Sequence, residues 1–435
     1  MSRATTRNRA VALLAAASTV ALAATACSSG SEGGEQSEGP VDLRMTVWSA
    51  NDGHHEVFNQ IADAYVEEHP EQVSSISFDA LPGGNYVNAL TTQIAGGDAP
   101  DLAWIFESYA SQFVETGVFA DLTPTLTQAD GYDYDDLLPA AMEPWSVDGN
   151  VYAYPFSNTP LGIYVNNDAL ASAGQPDPRE LIASGEWTWD KLVEIAAATA
   201  RSEDVAGFLP TVVPYSSWND SMGPIWLSWG ASAWSEDGTR CAMTTPEMTD
   251  FMTWFHTQIF DVGSIPGPGE EYDFGTGQAA FKMAALSAST GLGDDFTWDF
   301  LPLPSGPAGT VPVVGQAGLG VVARGDHPEV AADFLAYFTN QENSTLLAQY
   351  FPPPRESLLD VRVLQDAAPA LTTEQLQGTI IDQAANAVTK EGNPRMGELV
   401  DPVRIAFDDL WTPDADVSTV LASVCEAMDA QLADG

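Results

Sequence analysis

Short apolar strands alternating with amphipathic helices constrain this chain most. From Val41, "VDLRMTVWS" reads as a strand with Leu43, Met45 and Val47 on one side. "HHEVFNQIADAYVEEHP" then sets Val57, Phe58, Ile61, Ala64 and Tyr65 along one helical stripe, closed by Pro70. "SSISF" is a short strand, "NYVNALTTQIAGGD" a helix ended by Gly96 and Gly97, and "PDLAWIF" a buried strand. "ESYASQFVETGVF" is a helix stopping near Gly117. Past Tyr154 the rhythm resumes. "LGIYVNN" is a strand, "TWDKLVEIAAATA" a helix capped by Thr188, and Thr245-Pro246 opens another helix. "QAAFKMAALSAS" reads as a helix running into a strand. The Pro- and Gly-rich "WDFLPLPSGPAGTVPVVGQAGLGVVA" reads as a crossover between lobes, "PPPRESL" as a stiff second crossover, and the remainder to Gly435 as helical. Such alternation predicts βαβ units and a mainly parallel sheet, hence an α/β fold. With 435 residues, 45% of them hydrophobic, the chain can bury the cores of two or three domains.

The first 26 residues follow another logic. Arg3, Arg7 and Arg9 make a positive start, "AVALLAAASTVALAA" is apolar, and Ala24-Thr25-Ala26 is a small-residue cleavage site. This is the layout of an export signal, too short and Ala-rich for a stable membrane span. "ALAATAC" also resembles the bacterial lipobox, in which the cysteine is lipidated and becomes the mature N-terminus; Ala24 stands where that pattern has a large aliphatic. The alternative is an ordinary A-x-A cleavage that leaves Cys27 a free thiol. The Gly/Ser/Glu tether "SSGSEGGEQSEGP" favours the anchor, since a spacer spanning roughly 20 Å is useful when its end is held. Cys241 and Cys425 then remain, an even number that in an oxidising compartment suggests one disulfide.

Lys and Arg number 15 against 61 Asp and Glu, a net charge of −46. Cleavage before Cys27 leaves 12 cations against 61 acids, or −49. A surface this acidic repels phosphate backbones and excludes nucleic acid as a partner. Enzyme signatures are missing: the sequence has no G-x-S-x-G, P-loop, H-E-x-x-H or C-x-x-C. The histidines are His54, His55, His69, His256 and His327, and adjacent His54 and His55 point about 100° apart on a helix, unlike paired metal ligands. "DGYDYDD" (130–136) lacks the central Gly and terminal Glu of a calcium loop. Acid pairs such as Glu270-Glu271 and Asp294-Asp295 could serve a glycosidase, but 61 acids produce such pairs by chance. The expectation is therefore no metal and no cofactor.

Tryptophan is the stronger clue. "SSWNDSMGPIWLSWGASAW" holds Trp218, Trp226, Trp229 and Trp234 among Asn, Asp and Ser. Helical spacing of the last three is compatible with simple packing. Indole faces beside amide and carboxylate groups also suit a polar, uncharged, ring-shaped ligand such as a sugar. Trp48 and Trp104 fall at the C-terminal ends of strands, where open α/β sheets bind ligands.

Several segments together resemble the extracellular solute-binding proteins of ABC importers, in the sugar-binding group that includes maltose-binding protein. "LRMTVWS" with "FNQIADAYVEEHP" is similar to that family's first strand and helix. "LTTQIAGGDAPDLAWIFESYASQFVETGVFADLTP" carries its G-G-x-x-P-D-[apolar] strand and G-x-[apolar]-x-[DN]-L sequel. "DGNVYAYPFSNTPLGIYVNNDAL", "TWDKL", "FKMAAL", "GQAGLGVVA" and "PPPRESL" follow in the same order. The resemblance implies a two-lobed, periplasmic-binding-protein-like type II α/β fold with discontinuous lobes and an interlobe cleft. Residues 1–26 would be the signal peptide and 27–40 the lipidated cysteine and tether. Residues 41–155 plus 309–352 would form one lobe, and 156–308 plus 353–435 the other. The implied ligand contacts are Asn51, Asp52, Glu107, Asn158, Thr159, Trp218, Asn219, Trp226, Trp229, Ser289, Thr290 and Arg355. Arg355 would take paired hydroxyls or an internal carboxylate, or serve as a structural ion pair. The implied function is a monomeric, exported receptor, anchored in the membrane through lipid on Cys27, that passes a carbohydrate to an ABC permease without catalysis. Two other readings stay open: a secreted carbohydrate hydrolase, and a receptor of the same fold for a polyamine or peptide.

Overall fold

In a computed structural model of the chain, which describes residues 39–82, 85–211, 215, 217–384 and 386–433, the strands gather into two principal sheets. Cys27 and most of the tether lie outside the described residues. The strands are β1 (Val41–Val47), β2 (Val73–Ala80), β3 (Leu102–Phe106), β4 (Ser146–Val147), β5 (Asn150–Val151) and β6 (Tyr154–Pro160). They continue with β7 (Gly162–Asn166), β8 (Ala206–Leu209), β9 (Ala279–Ala284), β10 (Trp298–Pro302), β11 (Val313–Val321) and β12 (Val388–Thr389). One sheet has the order β12-β11-β3-β1-β2, with β6 also pairing β11; the other is β10-β7-β9-β8; β4 and β5 form a small hairpin.

The sheets are mixed, which corrects the expectation of a mainly parallel arrangement. β1 runs parallel to β2 and β3, but β11 is antiparallel to β3 and β6, and β7 is antiparallel to β9 and β10. The antiparallel members β10 and β11 come from the Pro- and Gly-rich stretch that reads as a bare crossover. "QAAFKMAALSAS" is likewise corrected: it is strand β9 followed by a 3₁₀ turn, Leu286–Gly291. β9 is buried on both faces except at Lys282, so no two-residue alternation marks it, and its continuous apolar run is indistinguishable from a buried helix by period.

Each main sheet carries its own core. One cluster collects buried side chains between Leu43 and Phe156 and again between Ala317 and Phe351. The second draws on Leu161 to Leu303, Val313, and Met396 to Met428, with a smaller third cluster around Tyr164, Phe300 and Leu364. The chain therefore has two lobes, and it passes from one core to the other along β6, along β11 and again after Phe351. β11 can lie flat against its lobe because of Gly318: a Cβ there would come 2.3 Å from the Trp145 ring. In the second lobe, Cys241, ahead of helix Pro246–Thr257, is disulfide-bonded to Cys425 of helix Val417–Leu432. No helix among the described residues is long and apolar enough to cross a membrane.

Candidate functional site

β1 delivers the chain to the lobe boundary. Trp48 follows it, stacked on Phe106 at 4.1 Å and edge-on to Trp104 at 4.8 Å, so its ring is spent on the first core. Asn51 comes next as N-cap of helix Asp52–Glu68; its Oδ1 accepts from the backbone N–H groups of Gly53 (2.9 Å) and His54 (3.3 Å). Its amide N–H₂ stays free to donate. Asn51 is the first-lobe member of a cavity of about 240 Å³ whose other walls come from the second lobe: Tyr164 of β7, Lys282 of β9, Asp273, and the turn at Ser287, Ala288 and Gly291.

Strand pairing fixes that wall. Tyr164 and Lys282 are directly opposed in the antiparallel β7–β9 pair, so their side chains leave the same face together. The Tyr164 hydroxyl donates to the Leu286 carbonyl at 3.0 Å and thereby holds the turn; burial pushes its phenol well above the usual range. Asp273 sits at the exposed rim, where Oδ1 accepts from Gly275 N–H at 2.9 Å. The wall thus offers an ammonium, an amide and a carboxylate, the groups that bind hydroxyls. Asp273 is the single carboxylate among the described residues lining it.

Behind Asn51, the Ser49 hydroxyl lies 2.7 Å from His54 Nδ1, while His54 Nε2 is buried without a partner. Burial, reinforced by neighbouring His55, drops the His54 pKa to about 4, so its imidazole is neutral at pH 7. Among the described residues no carboxylate is hydrogen-bonded to this histidine.

A second meeting of the lobes is charged and shielded. Lys390, just beyond β12, places Nζ 3.0 Å from Glu107 Oε1 and 2.7 Å from Asp220 Oδ1. Glu107 follows β3 in the first lobe; Asp220 lies on the second-lobe helix Trp218–Trp226. Burial raises the Glu107 carboxyl above its ordinary range although Lys390 opposes it. Asp220 is held below its ordinary value, because Lys390 outweighs the effect of burial. The Lys390 ammonium is raised because the two carboxylates outweigh its own burial. Beside it, Asn219 Nδ2 donates to the Glu391 carbonyl at 3.2 Å, and the Glu391 carboxylate accepts from Ser232 and from Ala233 N–H. Tyr109, packed against both cores, has its hydroxyl pKa pushed up to about 12 by burial and by the negative charge of Asp220 and Asp401.

The expected ligand residues therefore divide. Asn51 and the turn carrying Ser289 meet at the cavity, with Asp52 exposed in the helix's first turn; the Thr290 side chain is outside the description. Glu107 and Asn219 meet at the Lys390 cluster. The rest are engaged elsewhere in this structure. Trp218 and Trp226 are buried and stacked on each other at 6.2 Å, and Trp229 packs edge-on to Phe251 at 5.3 Å, so these indoles are second-lobe core. Asn158 Oδ1 accepts from Gln316 at 2.8 Å, and the Thr159 hydroxyl pairs with Ser157, which commits both to the crossover. Arg355 is fully buried. Its guanidinium donates to the carbonyls of Asp133 (3.1 Å) and Thr339 (3.0 Å), pairs with Asp136 at 3.4 Å and covers the Tyr132 ring. It is a structural ion pair.

Sequence reasoning missed Lys282, Tyr164, Asp273 and Lys390. A usable signal existed for Lys282: it is one of 12 cations beyond Cys27, placed in the apolar run "AAFKMAAL".

The sequence model of the bacterial extracellular solute-binding protein family matches residues 51–345, well over half of the chain. The chain belongs to that family. Among relatives of this solute-binding protein is the arabinooligosaccharide-binding protein of Halalkalibacterium halodurans, 26% identical over 356 residues, covering 77% of this chain and 76% of that one. A binding protein of Brucella abortus is 26% identical over 239 residues; there the match spans about half of each protein, 52%. The solved ABC substrate-binding protein of Listeria monocytogenes in complex with cycloalternan superposes with a TM-score of 0.77 at 20% identity, over 91% of this chain and all of that one. That likeness establishes the two-lobed fold.

Proposed function

We propose that this solute-binding protein is the receptor of an ABC importer and captures a carbohydrate, an oligosaccharide, in the cleft between its lobes. The observation that carries the reading is the cavity of about 240 Å³ in which Asn51 of one lobe faces Tyr164, Lys282 and the Leu286–Gly291 turn of the other. A ligand touching both walls binds the closed arrangement better than the open one, and that differential affinity drives closure. The relatives lend support: one is an arabinooligosaccharide-binding protein and another was solved with cycloalternan. The lone cavity carboxylate favours binding without catalysis. In this reading the lobes are residues 41–155 plus 309–352 and 156–308 plus 353–435. The mature chain is exported, monomeric and held to the outer face of the cell membrane by lipid on Cys27, within reach of its permease.

A thermal-shift screen of the purified chain against mono- and oligosaccharides, amino acids, peptides and polyamines tests this. A ligand at 100 times its Kd adds about 2.7 kcal/mol of stability. The expected result is one saccharide class that stabilises and is recovered intact. Turnover of that saccharide would identify a hydrolase, and stabilisation by polyamines or peptides alone would refute the carbohydrate ligand.

A further inference from the structure

Lys282 is out of keeping with every comparable cation among the described residues. Seven other Lys and Arg side chains among the described residues are buried or half-buried: Arg44, Arg179, Lys191, Arg355, Lys390, Arg395 and Arg404. Each has a carboxylate within 4.0 Å. The described cations that lack one, Lys282 apart, are Arg201, Arg240 and Arg324, all of them exposed. Lys282 is half-buried and lines the interlobe cavity, and its ammonium has no ion-pair or hydrogen-bond partner among the described residues. A cation that lines a cavity with no counter-charge beside it is open to an anionic group of a ligand.

The surroundings do not supply it. Asp273 is the carboxylate lining this cavity, but it stands at the solvent-exposed rim, beyond ion-pair distance, with one oxygen engaged in capping the turn at Gly275. Tyr164, opposite Lys282 in the sheet, is neutral, since burial raises its phenol and its proton is donated to Leu286. With 61 acids against 15 bases, the chain's overall field repels anions, so an acidic ligand would need a local cation at the point of contact. We infer that the carbohydrate taken by this cleft bears an anionic oxygen group, a carboxylate or a phosphate, which seats on the Lys282 ammonium. The inference rests on the carbohydrate-receptor reading and adds the ligand's charge to it. A charge-assisted hydrogen bond is about twice as strong as a neutral one, which gives a preference on the order of tenfold over the uncharged sugar.

The test is calorimetric titration of the purified chain with matched sets built on glucose and galactose, from mono- to trisaccharides. Each set contains the neutral sugar, its uronate and its 6-phosphate. The expected result is that an acidic member binds about tenfold or more tightly than its neutral counterpart, with the uronate and phosphate arms telling which group is recognised. Lys282→Gln should bring the members of that set within about twofold of each other, while Lys282→Arg retains the preference and both variants keep the wild-type melting temperature. Neutral sugars that bind as tightly as acidic ones, or a preference that survives Lys282→Gln, would overturn the inference and leave the receptor reading standing. Failure of every saccharide, in this panel and in the thermal-shift screen, to bind would overturn both.

Discussion

Lys390 and Lys282 both stand where the two lobes face each other, in opposite electrostatic settings. Lys390 lies between Glu107 of one lobe and Asp220 of the other, with its side chain 10% exposed and that of Glu107 2%. Lys282 looks into a cavity and has no counter-charge. The first arrangement is complete in the absence of ligand and ties the lobes together; the second is left incomplete and is where a ligand adds something. Charge at the lobe boundary thus serves two ends, and the presence or absence of a partner separates them.

The comparison breaks most visibly at Lys390. Lys390→Met leaves Glu107 buried and unpaired, and should cost about 3–5 kcal/mol in denaturant unfolding. Lys282→Met, which abandons no partner, should change stability by less than about 1 kcal/mol. Equal losses at the two positions would erase the distinction.

A smaller effect tests the cavity side through pH. The folded-state pKa of His54 is depressed to about 4 from an ordinary 6.5, so the unfolded chain takes up this proton first. Its contribution is complete above pH 6.5 and is lost as pH falls through about 4. Between pH 7 and pH 4 the wild type should lose about 3 kcal/mol more than His54→Asn, measured as the difference between their two stability profiles. Parallel profiles would show that the imidazole titrates as if exposed.

The smallest effect concerns the rim of the cavity. Asn51→Ala removes the helix cap and should cost about 1 kcal/mol of stability, whereas Asp52→Ala, exposed in the next position, should cost a few tenths. Ligand affinity should fall in Asn51→Ala beyond what the stability loss explains, because the amide that donates into the cavity is gone.

Much of the fold was legible because its signals are local. Leu43, Met45 and Val47 on β1, and Val57, Phe58, Ile61 and Tyr65 on the first helix, all turn inward as their spacing predicts. β9, β10 and β11 were not legible. A strand covered on both faces shows no alternation, and Pro or Gly near a strand's ends resembles a loop until its hydrogen-bonded neighbour is known. The site was half legible. Asn51 announced itself as a polar cap straight after a strand, and "SAST" as a polar turn after an apolar run. The tryptophans of "WNDSMGPIWLSW" misled because sequence cannot say which face of a short helix looks inward. Trp218 and Trp226 stack on each other, and the polar neighbour that matters is Asp220, turned toward Lys390. Lys390 itself is 283 residues from Glu107, a separation at which no motif can flag an ion pair.

Hydrogen–deuterium exchange on the chain with and without its stabilising saccharide tests most directly whether ligand is held between the lobes. The account predicts added protection at two separated segments at once, residues 49–54 at the start of the first helix and 282–292 in β9 and its turn, with little change around the already closed Lys390 cluster. Protection confined to one lobe, or falling outside both segments, would contradict a ligand clasped between Asn51 and Lys282.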